Sequence, residues 1–181
     1  CFARRREAEF EQRIAGTPYL EILKKGGGIL SSVRSVRMAD ADHLYQQTRR
    51  HMDTALALGT TTVEIKSGYG LDTESELKML AAIGQAAATS PMDVVATFLG
   101  AHAIPGEFTD DPDTFVDLVI REMLPAVISQ GIAVACDVFC EAGVFSVTQG
   151  RRILQTAQEL GLKVKIHADE VHDLGGGGLA A

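Results

Sequence analysis

Four short apolar runs rich in β-branched residues stand out along the chain, at 61–65 (TTVEI), 93–99 (DVVATFL), 133–139 (AVACDVF) and 162–168 (LKVKIHA). Each is bounded by glycine or polar residues and nearly unbroken in hydrophobicity, the pattern of strands buried on both faces of a parallel sheet. Between them the apolar period lengthens to that of a helix. The segment 73–88 opens with Thr73-Glu74-Ser75-Glu76, which reads as a capping box with Thr73 as N-cap and Glu76 at N3. The segment 112–130 places Pro112 at the first helical position and Pro125 inside its stripe, which predicts a kink or the end of a first segment. The segment 146–160 opens on a serine cap and closes at Gly161, and 39–58 reads as a further helix closed by Gly59. A last helix is expected near Leu179.

This strict alternation predicts an α/β fold with a parallel sheet, either a barrel or a doubly wound sheet. Polar residues follow every strand: Lys66-Ser67-Gly68-Tyr69, Gly100-Ala101-His102, Cys140-Glu141 and His167-Ala168-Asp169-Glu170. In a barrel those ends share one mouth, which favours the barrel. Four strands cannot close an eight-stranded barrel, so the expectation is a partial (β/α)8 barrel of about four β/α units. Residues 1–181 are expected to form one domain.

Charge and composition exclude several classes. The chain has 181 residues and a net charge of -7, which disfavours phosphate backbones, and Arg4-Arg5-Arg6 is too short to reverse that. No apolar run approaches the ~20 residues of a membrane span, and no signal peptide is read at the start. Cys1, Cys136 and Cys140 show no disulfide spacing, which fits a reducing cytoplasm. A first residue of Cys hints that the true start is missing.

The candidate chemistry sits at the strand ends. His167, with Glu170 three residues on, fits a metal ligand beside a proton-transferring carboxylate, or a strand-end His held in the core. His172 is a weaker second ligand, because the glycines after it suggest a mobile loop. His102 fits a group that polarises a carbonyl, or a loop His with no task. Tyr69, between Gly68 and Gly70, can present its ring to a planar ligand or cover the barrel end. Lys66 could be carboxylated or form a Schiff base, but no partner ligands accompany it. Arg6 fits a solvated face or a fork onto a carboxylate.

The segments VEIKSGYGLDTESELKML, TFLGAHAIP, DLVIREMLPAV, DVFCEAGVFSVTQGRRIL and KVKIHADE, with FARRREAEFEQRIAG and GGGILSSVRSVR upstream, resemble the imidazolonepropionase family of the amidohydrolase superfamily. Five long blocks in order make the resemblance specific, and it spans nearly the whole chain. It implies a metal-dependent (β/α)8 barrel with a small β-sandwich built from both chain ends. It implies hydrolysis of 4-imidazolone-5-propanoate to N-formimidoyl-L-glutamate in histidine degradation, served by one Zn or Fe ion. By position, His167 matches a metal ligand and Glu170 an acid that contacts substrate. His102 and Tyr69 match substrate contacts, with His102 also catalytic. Arg6 matches the propanoate partner, and Tyr19 a further substrate contact. The family's other metal ligands, a His-x-His pair before Phe2 and an acid on the last barrel strand, fall outside the chain. The chain is therefore expected to be an interior fragment, inactive by itself and without the β-sandwich. The resemblance allows a homodimer for the intact enzyme, and the charge and hydropathy above lead to the expectation of no nucleic-acid or membrane partner. Two other readings stand beside it: another amidohydrolase, such as a nucleobase deaminase, and a catalytically silent fragment.

Overall fold

The computed structural model describes residues 6–18, 21 and 27–181. The apolar runs become strands β1 (Thr62–Lys66), β2 (Asp93–Ala101), β3 (Ala135–Cys140) and β4 (Lys163–Ala168), each within two residues of the expected bounds. They pair in parallel in the order β1-β2-β3-β4. A sheet whose strand order never reverses, joined by crossovers of one hand, sends its helices to one face. That is the arc of a barrel and not a doubly wound sheet.

Among the described residues, helices run over α1 (Glu7–Ile14), α2 (Gly28–Met38), α3 (Ala41–Ala57), α4 (Thr73–Ala88), α5 (Pro112–Leu118), α6 (Leu124–Gln130), α7 (Val147–Glu159) and the short α8 (Gly176–Ala180). Their starts follow the capping rules with one correction. Asp40, Asp72 and Asp111 each accept an N–H three residues on, from His43, Ser75 and Thr114. Asp72 and not Thr73 is therefore the N-cap of α4, and Glu76 is free for a different task. Ser146 and Gln149 close a reciprocal capping box on α7. Before Pro125 the helix widens into a π-turn at Val119–Met123, so the missing proline N–H is absorbed by a register change between α5 and α6.

The core lies between helices and sheet. Leu80 and Ile83 of α4, Phe98 of β2, Phe115 and Val116 of α5, Cys136 and Val138 of β3, and Ile153 of α7 are all buried there. Gly150 lets α7 lie close on β3, since a Cβ there would collide with Cys140 Sγ.

The opposite face of the sheet is polar. Glu64 and Lys66 on β1, Thr97 on β2, Asp137 on β3, and Lys165 and His167 on β4 meet there through their side chains. The expectation of strands buried on both faces holds for β2 and β3. It fails for β1 and β4, which lie at the sheet edges and are partly exposed. In place of the aliphatic layers common inside such barrels, these residues form an ion-paired interior.

Candidate active site at the strand ends

The loop after β1 is built around one carboxylate. Glu76, fully buried in the first turn of α4, accepts the N–H groups of Gly68 (2.8 Å), Gly70 (2.7 Å) and Leu71 (3.0 Å). Burial pushes its carboxyl up, and bonds from Ser67 and the three amides push back without cancelling it. Gly68 adopts φ +95, and a Cβ there would sit 2.7 Å from Leu99 O. Gly68→Ala is therefore expected to lower the unfolding free energy by about 2 kcal/mol or more, read from a urea midpoint.

The loop sets Tyr69 edge-on to His102, with ring centroids 5.0 Å apart. His102 Nδ1 lies 2.9 Å from Gly68 O. A carbonyl can only accept, so Nδ1 carries the proton and Nε2 keeps a lone pair. Burial, helped by the nearby His167 charge, pushes the His102 pKa down and favours this neutral form. Phe139 continues the ring series, 6.3 Å from His102 and 6.2 Å from His167.

His167 stands at the end of β4, with Nδ1 2.9 Å from Asp137 Oδ2. That approach is too sharply angled for a straight hydrogen bond, and Asp137 Oδ1 has no partner among the described residues. Asp137 is 1% exposed and also takes Lys66 Nζ at 2.5 Å. Glu64 lies 3.3 Å from Lys66 Nζ, and accepts from Thr97 Oγ1 and Lys165 Nζ at 2.5 Å each. Burial works against both charges of the central pair. The hydrogen bonds and charges win, so the pKa of Asp137 falls and that of Lys66 rises. A protonated, ion-paired Lys66 suits neither carboxylation nor a Schiff base. Asp137 raises the His167 pKa against the effect of burial.

Tyr69, His102, His167 and Lys66 line one cavity of about 460 Å³, completed by α3 residues that include His51 and Met52. The residues at the ends of β1, β2 and β4 thus converge, whereas Cys140 and Glu141 after β3 do not line this cavity. Glu170 lies on the exposed bend after β4, where its charge helps raise the His167 pKa, but it does not line the cavity. Arg6 precedes α1 and pairs with Glu9 at 2.9 and 2.5 Å, also outside the cavity lining. Tyr19 lies outside the described residues.

The loop after β4 is latched rather than loose. Glu141 accepts Val171 N at 2.9 Å and lies 2.7 Å from His172 Nδ1, which gives His172 a carboxylate partner. Asp169 gathers the N–H groups of Leu174, Gly176 and Gly177, so the glycine run folds over it. The bonds to Glu141, led by that from Val171 N, hold its carboxyl down to about 2. A depressed carboxyl stabilises the fold above its ordinary value of 4.5, and that contribution fades as pH falls toward about 2. Glu141→Gln is expected to flatten this acid limb of the stability curve and to speed amide exchange at Val171.

The sequence pattern gives no role to Asp137, Glu64 or Lys165, places Glu76 only in a cap, and marks Glu141 only as a polar residue after a strand. A signal existed for Asp137, a charge inside the otherwise apolar run AVACDVF. Glu76 was hidden by its apparent place in a capping box.

No family model matches the chain. A Desulfotalea psychrophila imidazolonepropionase is 63% identical over 181 residues, all of this chain and 44% of that protein. A Syntrophobacter fumaroxidans imidazolonepropionase is 65% identical over the same length, 43% of its own. Along its whole length the chain is similar to imidazolonepropionases. It spans less than half the length of these imidazolonepropionase relatives. Among solved structures, an adenine deaminase from Arthrobacter aurescens matches 77% of this chain and 42% of its own, with a TM-score of 0.53 and 17% identity. That likeness supports the fold, a partial barrel. Among the described residues no three His, Cys, Asp or Glu side chains converge as a ligand cluster, so these residues do not build a metal site on their own. Nor is any described helix long and apolar enough to cross a membrane.

Proposed function

We propose that this chain forms the substrate-facing wall of an enzyme that hydrolyses 4-imidazolone-5-propanoate to N-formimidoyl-L-glutamate in histidine degradation, in the cytoplasm. In that reaction a water oxygen bonds to the ring carbonyl carbon, the ring C–N bond breaks, and the departing nitrogen takes a proton. The reading is carried by one observation: Tyr69, His102 and His167 line a single cavity.

In this reading the Tyr69 ring flanks the planar substrate. Neutral His102 offers the Nε2 lone pair, so it accepts a ring N–H. Polarising the carbonyl, the role expected for it, would need a second proton, which its buried setting resists. Glu170 moves the proton between water and the departing nitrogen. Arg6 pairs with the propanoate, which fixes the ring's orientation, and Tyr19 adds a further contact. His167 supplies one ligand to a Zn or Fe ion. The other ligands, and the β-sandwich that accompanies the barrel domain formed by 1–181, come from parts of the family protein outside this chain. Alone, the chain is inactive. A homodimer is the proposed assembly, with no nucleic-acid or membrane partner.

The test places this chain in the matching segment of the Desulfotalea psychrophila protein and supplies 4-imidazolone-5-propanoate or adenine. N-formimidoyl-L-glutamate should accumulate while adenine persists. Deamination of adenine with the imidazolone left intact would refute the reading.

A further inference from the structure

We propose that Glu76 is the positioning residue for Tyr69 and His102, setting the backbone between β1 and α4 and, through it, the proton on the His102 ring.

Three observations carry this. First, a fully buried carboxylate is costly, and among the described residues no Lys or Arg ion-pairs with Glu76. Its compensation comes from Ser67 and from three backbone N–H groups, all of one short loop. Such convergence makes an anion-binding concavity, here filled by the chain's own side chain. Second, the loop needs this support. Gly68 and Leu71 both hold positive φ, at 95 and 56 degrees, and leucine adopts that conformation only under constraint. Gly70 is pressed so close to α4 that a Cβ on it would fall 2.6 Å from Ser75 Cβ. Third, the glycine whose N–H Glu76 holds also presents its carbonyl to His102 Nδ1. Glu76 therefore acts on His102 through one residue. If Gly68 turns, His102 loses the acceptor that keeps its proton on Nδ1, and Tyr69 leaves its edge-on contact.

The wiring explains why a charge sits where a leucine would pack. An apolar side chain would fill the volume but leave three buried N–H groups unpaired. What the arrangement is for rests on the proposed function; the wiring itself does not.

Glu76→Gln tests it. The amide oxygen can still accept two N–H groups, but its NH2 then faces a third donor. In this chain, 15N spectra of the His102 ring should show Nδ1 protonated and Nε2 bare. In Glu76→Gln the two tautomers should mix, and amide exchange at Gly68, Gly70 and Leu71 should rise by about tenfold over that at Phe98. Glu76→Asp, which keeps the charge, should retain more of the Nδ1-protonated form. If Glu76→Gln does not fold, Glu76→Asp and Glu76→Ala are compared by the same readouts, with the greater tautomer mixing expected in Glu76→Ala. A loss of stability with the His102 signature unchanged would mean that Glu76 is only structural, and would overturn the proposal. If the signature moves as expected but the chain in its Desulfotalea psychrophila context opens no imidazolone ring, the proposed function fails and the positioning role stands.

Discussion

Asp137→Asn is expected to destabilise the fold by about 2–3 kcal/mol near neutral pH, measured by urea unfolding. Asp137 is almost wholly buried, and Lys66 Nζ reaches its Oδ2 at 2.5 Å. Removing one partner of a buried pair usually costs about 3–5 kcal/mol. The lower figure reflects a Lys66 side chain that is 27% exposed and keeps Glu64 at 3.3 Å. The pH dependence has a definite sign. The Asp137 contribution is present above its ordinary 3.8 and is lost as pH falls through the lowered folded value. The Lys66 contribution is present below 10.5 and is lost as pH rises through the raised value. The defect should therefore be widest across the neutral range and shrink toward both extremes. Lys66→Met in the Asp137→Asn background should recover about 1 kcal/mol or more of coupling. A single-variant cost under about 0.5 kcal/mol would show that the ion-paired interior is ornamental.

His167→Ala, in the chain carried by the Desulfotalea psychrophila protein, is expected to reduce imidazolone ring opening to the level of the buffer blank. His167 is 41% exposed, and its contact with Asp137 is poorly aligned. Its loss should therefore leave the unfolding midpoint little changed. A group near the reacting atoms abolishes turnover without unsettling the fold, whereas a core histidine would do the reverse. Substantial ring opening by His167→Ala would remove His167 from the site.

The strands were legible because β-branched runs between glycines have few alternatives, and the helices because their caps are local signals. The α4 start went wrong for a physical reason. Asp72 and Thr73 are both competent caps, and only the fold decides that Glu76 turns toward Gly68. The convergence of Tyr69, His102 and His167 followed from their shared place at the strand ends. The Glu64, Lys66, Asp137 and Lys165 network was not readable. Its members lie far apart in the chain, and only the parallel register brings Asp137 opposite Lys165. The direction of the His102 proton was equally out of reach, since it depends on one carbonyl 34 residues away.

The most direct measurement titrates this chain with imidazole-4-propanoate, a stable stand-in for ring and tail, while the histidine ring signals are followed. His102 and His167 should shift together along one saturating curve, with exposed His43 still. Shifts at His43 as large as at the pair, or a His102 response with His167 silent, would mean that these strand ends do not enclose a common ligand.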